Sequence, residues 1–144
     1  MSANPNIYGR FEGSVDREPD QSGDAFPQAD EAREIETTLI QLREAIGASH
    51  TVHLIEVFLK NSRAQVEEVV DSVVRKSAPD LRRTAHQLKG SCSQVGASRL
   101  TDFCGKLEEA GAASQWQGVD ALAESLALDF ERVCNLLNRF KRSS

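Results

Sequence analysis

His86 is the residue of this sequence best placed to do chemistry, because its imidazole is expected to face solvent on an amphipathic helix. The apolar residues around it recur at helical spacing and form one stripe: Leu81, Ala85, Leu88, Cys92 and Val95. On a helical wheel of about 100° per residue, the centre of this stripe lies about 140° from His86. An exposed imidazole is a nucleophile near neutral pH, where a useful fraction of it is unprotonated.

The residues within one helical turn of His86 add charge and space. Arg82, Arg83 and Lys89 are cations, and Lys89 could offset the charge of a phosphoryl group on the imidazole. Gly90 costs about 1 kcal/mol relative to Ala in a helix interior, which close approach of another surface could offset. Surface His and Lys are common, so these residues alone favour an ordinary solvated helix face with a tolerated glycine.

Five amphipathic helices are predicted to carry these residues. Their apolar periods give the ranges Glu31–Ile46, His50–Lys76, Pro79–Val95, Ala97–Ala110 and Trp116–Arg139. Gly47, Gly96 and Gly111 fit helix ends, and Ser49 is a good N-cap for the second helix. Short connections make consecutive helices antiparallel. We therefore predict an all-α fold, an antiparallel up-down four-helix bundle of helices two to five, with an additional N-terminal helix over one end or side.

The composition is that of one globular domain preceded by an arm. The chain has 144 residues, of which 40% are hydrophobic and 27% charged. Three of its four prolines fall before residue 30, and this stretch has no apolar period. We predict a flexible N-terminal arm over residues 1–30 and a helical bundle domain over residues 31–144. Ile7, Tyr8 and Phe11 are the arm residues that could dock on the domain.

Charge and hydropathy exclude several classes of partner. The net charge of −5 argues against nucleic acid, since phosphate binding needs a surplus of Lys and Arg, although Arg82 and Arg83 could mimic a basic patch. No apolar run approaches the roughly 20 residues that span a bilayer, so no membrane partner is expected. The first residues lack the pattern of a signal peptide. We therefore expect a cytoplasmic protein.

The remaining cysteines and histidines favour structural roles over a metal site. Three cysteines, Cys92, Cys104 and Cys134, have no paired spacing, and we predict that they are small buried hydrophobic residues. His50 and His53 are three positions apart and could share a helix face. A metal would need further ligands at fitting spacing, so we interpret this pair as surface histidines and expect no bound metal.

The segment around His86 resembles a known family signature. Residues 85–97 read AHQLKGSCSQVGA, which is similar to the signature of histidine-containing phosphotransfer (HPt) domains: a His, Leu-Lys-Gly two residues on, a pair of small residues and an apolar-Gly-Ala ending. Residues 42–45 and 100–108 also resemble the family, and the resemblance covers about Ala32–Arg142. Cys92 departs from the pattern, where a second Ser or Ala is common.

The resemblance implies a phosphotransfer protein of a multistep phosphorelay, a phosphoryl carrier without autokinase activity. His86 would accept a phosphoryl group from the aspartyl phosphate of one receiver domain and pass it to another, these being the receiver domains of a hybrid sensor kinase and a response regulator. Lys89 would stabilise the phosphoryl charge, Gly90 would give the partner access, and Ser93 would hydrogen-bond the imidazole or the phosphate. The partner would supply Mg²⁺, so this chain, expected to be a monomer, would need no cofactor.

Two other classes of function stay open on the residues alone. A helical adaptor would use the same face only for docking, although it would not need the nucleophile. A small hydrolase with His86 as its base would need an orienting acid. The positions one helical turn from His86 hold Arg82, Arg83, Lys89 and Gly90, so no orienting acid stands at helical spacing, which argues against acid–base catalysis.

Overall fold

The computed structural model describes residues 27–144, which form five α-helices. These are α1 (Gln28–Ile46), α2 (Ala48–Arg75), α3 (Ala78–Gln94), α4 (Ser98–Ala113) and α5 (Val119–Arg142). Between α2 and α5 each helix packs on the next, and α2 also packs on α5, which closes a ring of four. The helix α1 packs on α2, α4 and α5. The predicted all-α bundle with an additional N-terminal helix is confirmed, and the described range contains no strand.

The apolar stripe of α3 lies in the centre of the bundle, as its period predicts. Leu81, Ala85, Leu88 and Cys92 are each fully buried. They pack in one core with the largest buried side chains of the other helices, among them Leu39, Ile55, Leu107 and Phe130. Burying each large apolar side chain contributes roughly 1.5–3 kcal/mol, so this face fixes the rotation of α3 about its axis. The opposite face of α3 is thereby held in solvent.

A buried network of carboxyl groups and arginines holds the start of α1 against the bundle. Glu31 is fully buried, and its carboxyl group accepts a 2.9 Å hydrogen bond from the backbone N–H of Leu100, the third residue of α4. Arg132 of α5 donates to Glu31 and, at 2.6 Å, to the buried carboxylate of Asp129. Arg99 lies 3.4 Å from Asp129. Burial, followed by the neighbouring Asp129, raises the pKa of Glu31 to about 8.

Two of the predicted helix ends are wrong. Gly111 does not close α4, which continues to Ala113 and ends at Ser114 in the left-handed conformation, with φ +52°. A Cβ on Gly111 would lie 2.7 Å from the backbone nitrogen of Arg82, so the glycine serves the close approach of α3 and α4. Ser49 is not the N-cap of α2, because the helix already begins at Ala48, directly after Gly47.

The other helix boundaries differ from the predictions by a few residues. Gly96 follows α3 at φ +80°, so its role as a helix stop is confirmed. A Cβ at this position would also lie 2.5 Å from Oγ1 of Thr38. The last helix begins at Val119 rather than at Trp116, because Gly118 adopts φ +78° immediately before it. A left-handed residue cannot continue a right-handed helix, which sets this boundary.

The predicted N-terminal arm lies mainly outside the described residues. At its end, Gln28–Asp30 form the first turn of α1, so this part of the predicted arm belongs to the helical domain. Cys92, Cys104 and Cys134 are buried free cysteines, as predicted. Within residues 27–144 no helix is both long and apolar enough to cross a membrane.

Candidate functional site

His86 stands on the exposed face of α3, near the middle of the helix. Its side chain is 68% exposed, whereas its neighbours Ala85 and Leu88 are fully buried. The predicted orientation of the imidazole is therefore confirmed. The burial of one face of α3 is what presents His86 to solvent, since successive residues of a helix are about 100° apart.

An acid from a neighbouring helix lies beside His86. Oε2 of Glu108, on α4, is 2.9 Å from Nδ1 of His86. The two residues are 22 positions apart and meet because α3 and α4 run antiparallel in contact. The residue spacing within α3 correctly shows no acid one turn from His86 on that helix, and it gives no information about Glu108, which belongs to α4.

The contact with Glu108 sets the tautomer of the imidazole. An ionised carboxylate only accepts hydrogen bonds, so Nδ1 of His86 carries the hydrogen and donates it. Nε2 then holds the lone pair of the neutral ring, with no partner among the described residues. The exposed edge of the ring is therefore its nucleophilic edge.

Lys89 binds the same carboxylate. Its Nζ lies 2.7 Å from Oε1 of Glu108, while Oε2 faces His86, so Glu108 bridges the two side chains. The hydrogen bond from Lys89, and after it the one from His86, lowers the pKa of Glu108. The same bond raises the pKa of Lys89. Glu108 is thus anionic and Lys89 cationic at neutral pH, and Lys89 is 37% exposed rather than fully solvated.

Gly90 leaves a surface without a side chain beside the cluster of His86, Lys89 and Glu108. It is exposed within α3, and a Cβ at this position would meet nothing within 4 Å. The fold therefore gives no packing reason for a glycine at this position. Ser93 is exposed, and its hydroxyl donates a 3.0 Å hydrogen bond to the carbonyl oxygen of Gly90, so the predicted bond to the imidazole is not formed.

The other charged and histidine residues lie outside the cluster. Arg83 pairs with Asp80 at 3.0 Å and with Glu68 at 3.4 Å, which are exposed contacts worth little stability. His50 and His53 are exposed near the start of α2, and Nδ1 of His50 lies 3.1 Å from the carbonyl oxygen of Ile46. Among residues 27–144 no group of three His, Cys, Asp or Glu side chains could hold a metal ion.

The geometry suits nucleophilic attack by His86 on an electrophile that another molecule brings. The site offers an exposed Nε2, an anion that orients the ring and an ammonium one turn along the helix. Because His86 is exposed, a partner surface can reach it and supply the rest of the reacting groups. Sequence reasoning singled out His86, Lys89 and Gly90 as candidates, which the structure places together on α3, and it did not include Glu108. A signal for Glu108 was its place at the end of the family-like run over residues 100–108.

Comparisons with known proteins give two matches. The family model described as "Hpt domain" matches residues 53–139, more than half of the chain and the whole of α3 and α4. The crystal structure of histidine-containing phosphotransfer protein B (HptB) from Pseudomonas aeruginosa PAO1 is similar, with 27% sequence identity and a TM-score of 0.71. That match covers 75% of this chain and 93% of the bacterial one. No curated protein matches the chain significantly.

Proposed function

The chain belongs to the Hpt domain family, the histidine phosphotransfer proteins of two-component phosphorelays, and on that premise we propose that His86 is its phosphoryl acceptor. The donor is the aspartyl phosphate of one receiver domain, and the acceptor is the aspartate of another. The observation that carries this proposal is the exposed imidazole whose Nδ1 faces Glu108, which leaves Nε2 directed to solvent.

The transfer step is a displacement at phosphorus. The Nε2 lone pair of His86 forms an N–P bond while the P–O bond to the aspartyl carboxyl group breaks, and its electron pair returns to the carboxylate of the receiver. Nδ1 keeps its hydrogen, so the phosphorylated ring carries a positive charge. Glu108, 2.9 Å away, stabilises that charge. The reverse step on a second receiver domain releases the phosphoryl group.

The neighbours of His86 assist the transfer. Lys89 offsets the charge of the phosphoryl oxygens, because its ammonium lies one turn along the helix and is partly exposed. Gly90 lets the receiver approach α3 closely, since nothing fills the space where a side chain would stand. Ser93 contributes less, as its hydroxyl already bonds to a backbone carbonyl.

The partner completes the chemistry. The receiver domain brings the phosphorylated aspartate and the Mg²⁺ that its acidic pocket holds, and this chain contributes the nucleophile, the ammonium and the docking face. The chain acts as a monomeric carrier in the cytoplasm and has no autokinase activity, so ATP alone leaves His86 unlabelled.

Transfer of labelled phosphoryl groups tests the proposal. Incubation with a phosphorylated receiver domain should label the wild-type chain with an acid-labile, alkali-stable phosphate. His86→Gln should abolish the label, and the matched controls His50→Gln and His53→Gln should keep it. Label that persists in His86→Gln, or that appears with ATP and no receiver, would contradict the proposal.

A further inference from the structure

An apolar groove between α2 and α5 lies open in the described part of the chain. Val66 and Phe130 form its buried floor, with 7% and 1% exposure. Val70 and Val74 line it at 37% and 75% exposure, and Val74 is the most exposed large hydrophobic residue of residues 27–144. Covering Val70 and Val74 would remove apolar surface from water, which favours an apolar occupant of the groove.

The groove lies on the side of the bundle away from His86. The four helices form the ring α2, α3, α4, α5. His86 and Glu108 meet across the edge between α3 and α4, which is opposite the edge between α2 and α5. A ligand of the groove would therefore leave the candidate phosphotransfer face open.

Acidic side chains dominate the rim of the groove. Arg63 is already paired with Glu131 at 3.0 Å. Asp71 is paired with Arg75 at 2.8 Å. Glu67 interacts electrostatically with the same Arg63, so the charged residues that line the groove are three carboxylates and one arginine. The rim therefore fits an apolar peptide that carries one cation.

One segment of this chain has that composition. Residues 7–11 read Ile-Tyr-Gly-Arg-Phe, with three large apolar side chains and a single cation, Arg10. The sequence thus supplies an occupant that matches the groove in both hydrophobicity and charge.

The first turn of α1 lies close to the groove. Glu31, in the first turn of α1, contacts Arg132, the residue after the groove residue Glu131. Arg43, near the end of α1, stacks on the ring of Phe140, so α1 and α5 run in the same direction. The described chain therefore begins beside the N-terminal half of α5, where the groove lies.

The connecting length is sufficient. Phe11 and Pro27 are sixteen positions apart in the sequence. A flexible chain of this length has a root-mean-square span of roughly 20–24 Å, and the helix α5 that it must pass is about 10–12 Å wide. We propose that the α2–α5 groove binds the segment Ile7–Phe11 of the same chain. The two aromatic side chains cover Val70 and Val74, and Arg10 faces Glu67.

Amide NMR spectra of the full chain test this intramolecular contact. Phe11→Ser and Tyr8→Ser should each shift the signals of Val70, Val74 and Ala127, whereas the polar control Asn4→Ser should not. Val74→Glu, at a position exposed enough to tolerate the charge, should abolish the effect of Phe11→Ser. Val57→Glu, at an exposed valine of α2 outside the groove, should leave that effect intact.

Three outcomes would overturn the proposal. The groove signals could stay unchanged in Phe11→Ser, or the changes could fall elsewhere on the bundle. Changes that grow with protein concentration would show instead that a second copy occupies the groove. Phosphotransfer is not a readout of this experiment, so its failure leaves the proposed function of His86 untouched.

Discussion

The carboxylate of Glu108 lies 2.9 Å from Nδ1 of His86, although the two residues belong to different helices and are 22 positions apart. Glu108 is 22% exposed and His86 68%, so the contact is shielded on the carboxylate side and open on the imidazole side. The acid therefore holds one ring nitrogen and leaves the other to a partner. This arrangement orients a nucleophile without enclosing it.

Removal of Glu108 should slow phosphotransfer. In Glu108→Ala, Nδ1 loses the acceptor that keeps the hydrogen there, and the cation formed on phosphorylation loses its counter-charge. A hydrogen bond to a charged group contributes about 1.5–3 kcal/mol, which corresponds to a rate reduced by roughly tenfold or more. Nitrogen NMR shifts should show a mixture of tautomers at His86 in place of one.

Glu109→Ala is the matched control, since Glu109 is an exposed neighbour on α4. Equal rates for Glu108→Ala and Glu109→Ala would show that the contact is structural only.

Substitution of Lys89 separates charge from packing. The partly exposed Lys89→Ala should change stability by about 0.5 kcal/mol or less, because surface substitutions have small effects. It should nevertheless reduce transfer to His86, because the phosphoryl charge loses its ammonium. Lys89→Arg should retain an intermediate rate, since the guanidinium keeps the charge but differs in shape. Lys60→Ala, at an exposed position of α2, is the control. If Lys89→Ala transferred phosphoryl groups at the wild-type rate, as this control should, Lys89 would only pair with Glu108 and would have no role in transfer.

Gly90 should show opposite effects on stability and transfer. Gly90→Ala meets no atom within 4 Å and should stabilise α3 by up to about 1 kcal/mol. Gly90→Gln should fold equally well but slow transfer, because its side chain occupies the surface that a receiver approaches. Thermal melts and transfer rates measured together check both statements. A Gly90→Gln chain that transfers at the wild-type rate would remove the steric role.

Substitution of Gly111 should have the opposite effect on stability from substitution of Gly90. A Cβ at Gly111 would lie 2.7 Å from the nitrogen and 3.0 Å from the Cα of Arg82, and these backbone atoms cannot move aside cheaply. Gly111→Ala should therefore lower the free energy of unfolding by about 1–3 kcal/mol, the usual cost of overpacking a core, and the melting temperature should fall with it. Gly90→Ala is its matched control in the same pair of helices. A melting temperature at or above wild type in Gly111→Ala would show that α3 and α4 separate without cost.

The sequence predicts those parts of the fold that depend on local periodicity. The buried stripe of Leu81, Ala85 and Leu88 defines α3 and the outward direction of His86 without any knowledge of the neighbouring helices. Helix ends are less predictable when a glycine serves packing rather than termination. Gly111 looks like a stop, yet its lack of a side chain allows α3 to approach α4.

Contacts between helices are the part that local patterns do not reveal. Glu108 reaches His86 only because the register of α3 against α4 places them at the same level. Glu31 is similar: no local pattern indicates its burial, yet it is fully buried against Leu100 and Arg132. Both contacts depend on how the core sets the helix register, which requires the whole set of packed side chains.

The buried Glu31 should make stability depend on pH. Burial and the neighbouring Asp129 raise its folded-state pKa from 4.5 to about 8, so the folded chain binds more protons than the unfolded chain between these values. The stabilisation from this group is thus complete below about pH 4.5 and is lost as pH rises through about 8. In denaturant titrations the wild type should lose free energy of unfolding from pH 5 to 8, and Glu31→Gln should lose less over the same range. Glu36→Gln, at an exposed position of α1, should keep the wild-type slope. A slope unchanged in Glu31→Gln would mean that Glu31 is ionised throughout, held so by Arg132 and the N–H of Leu100.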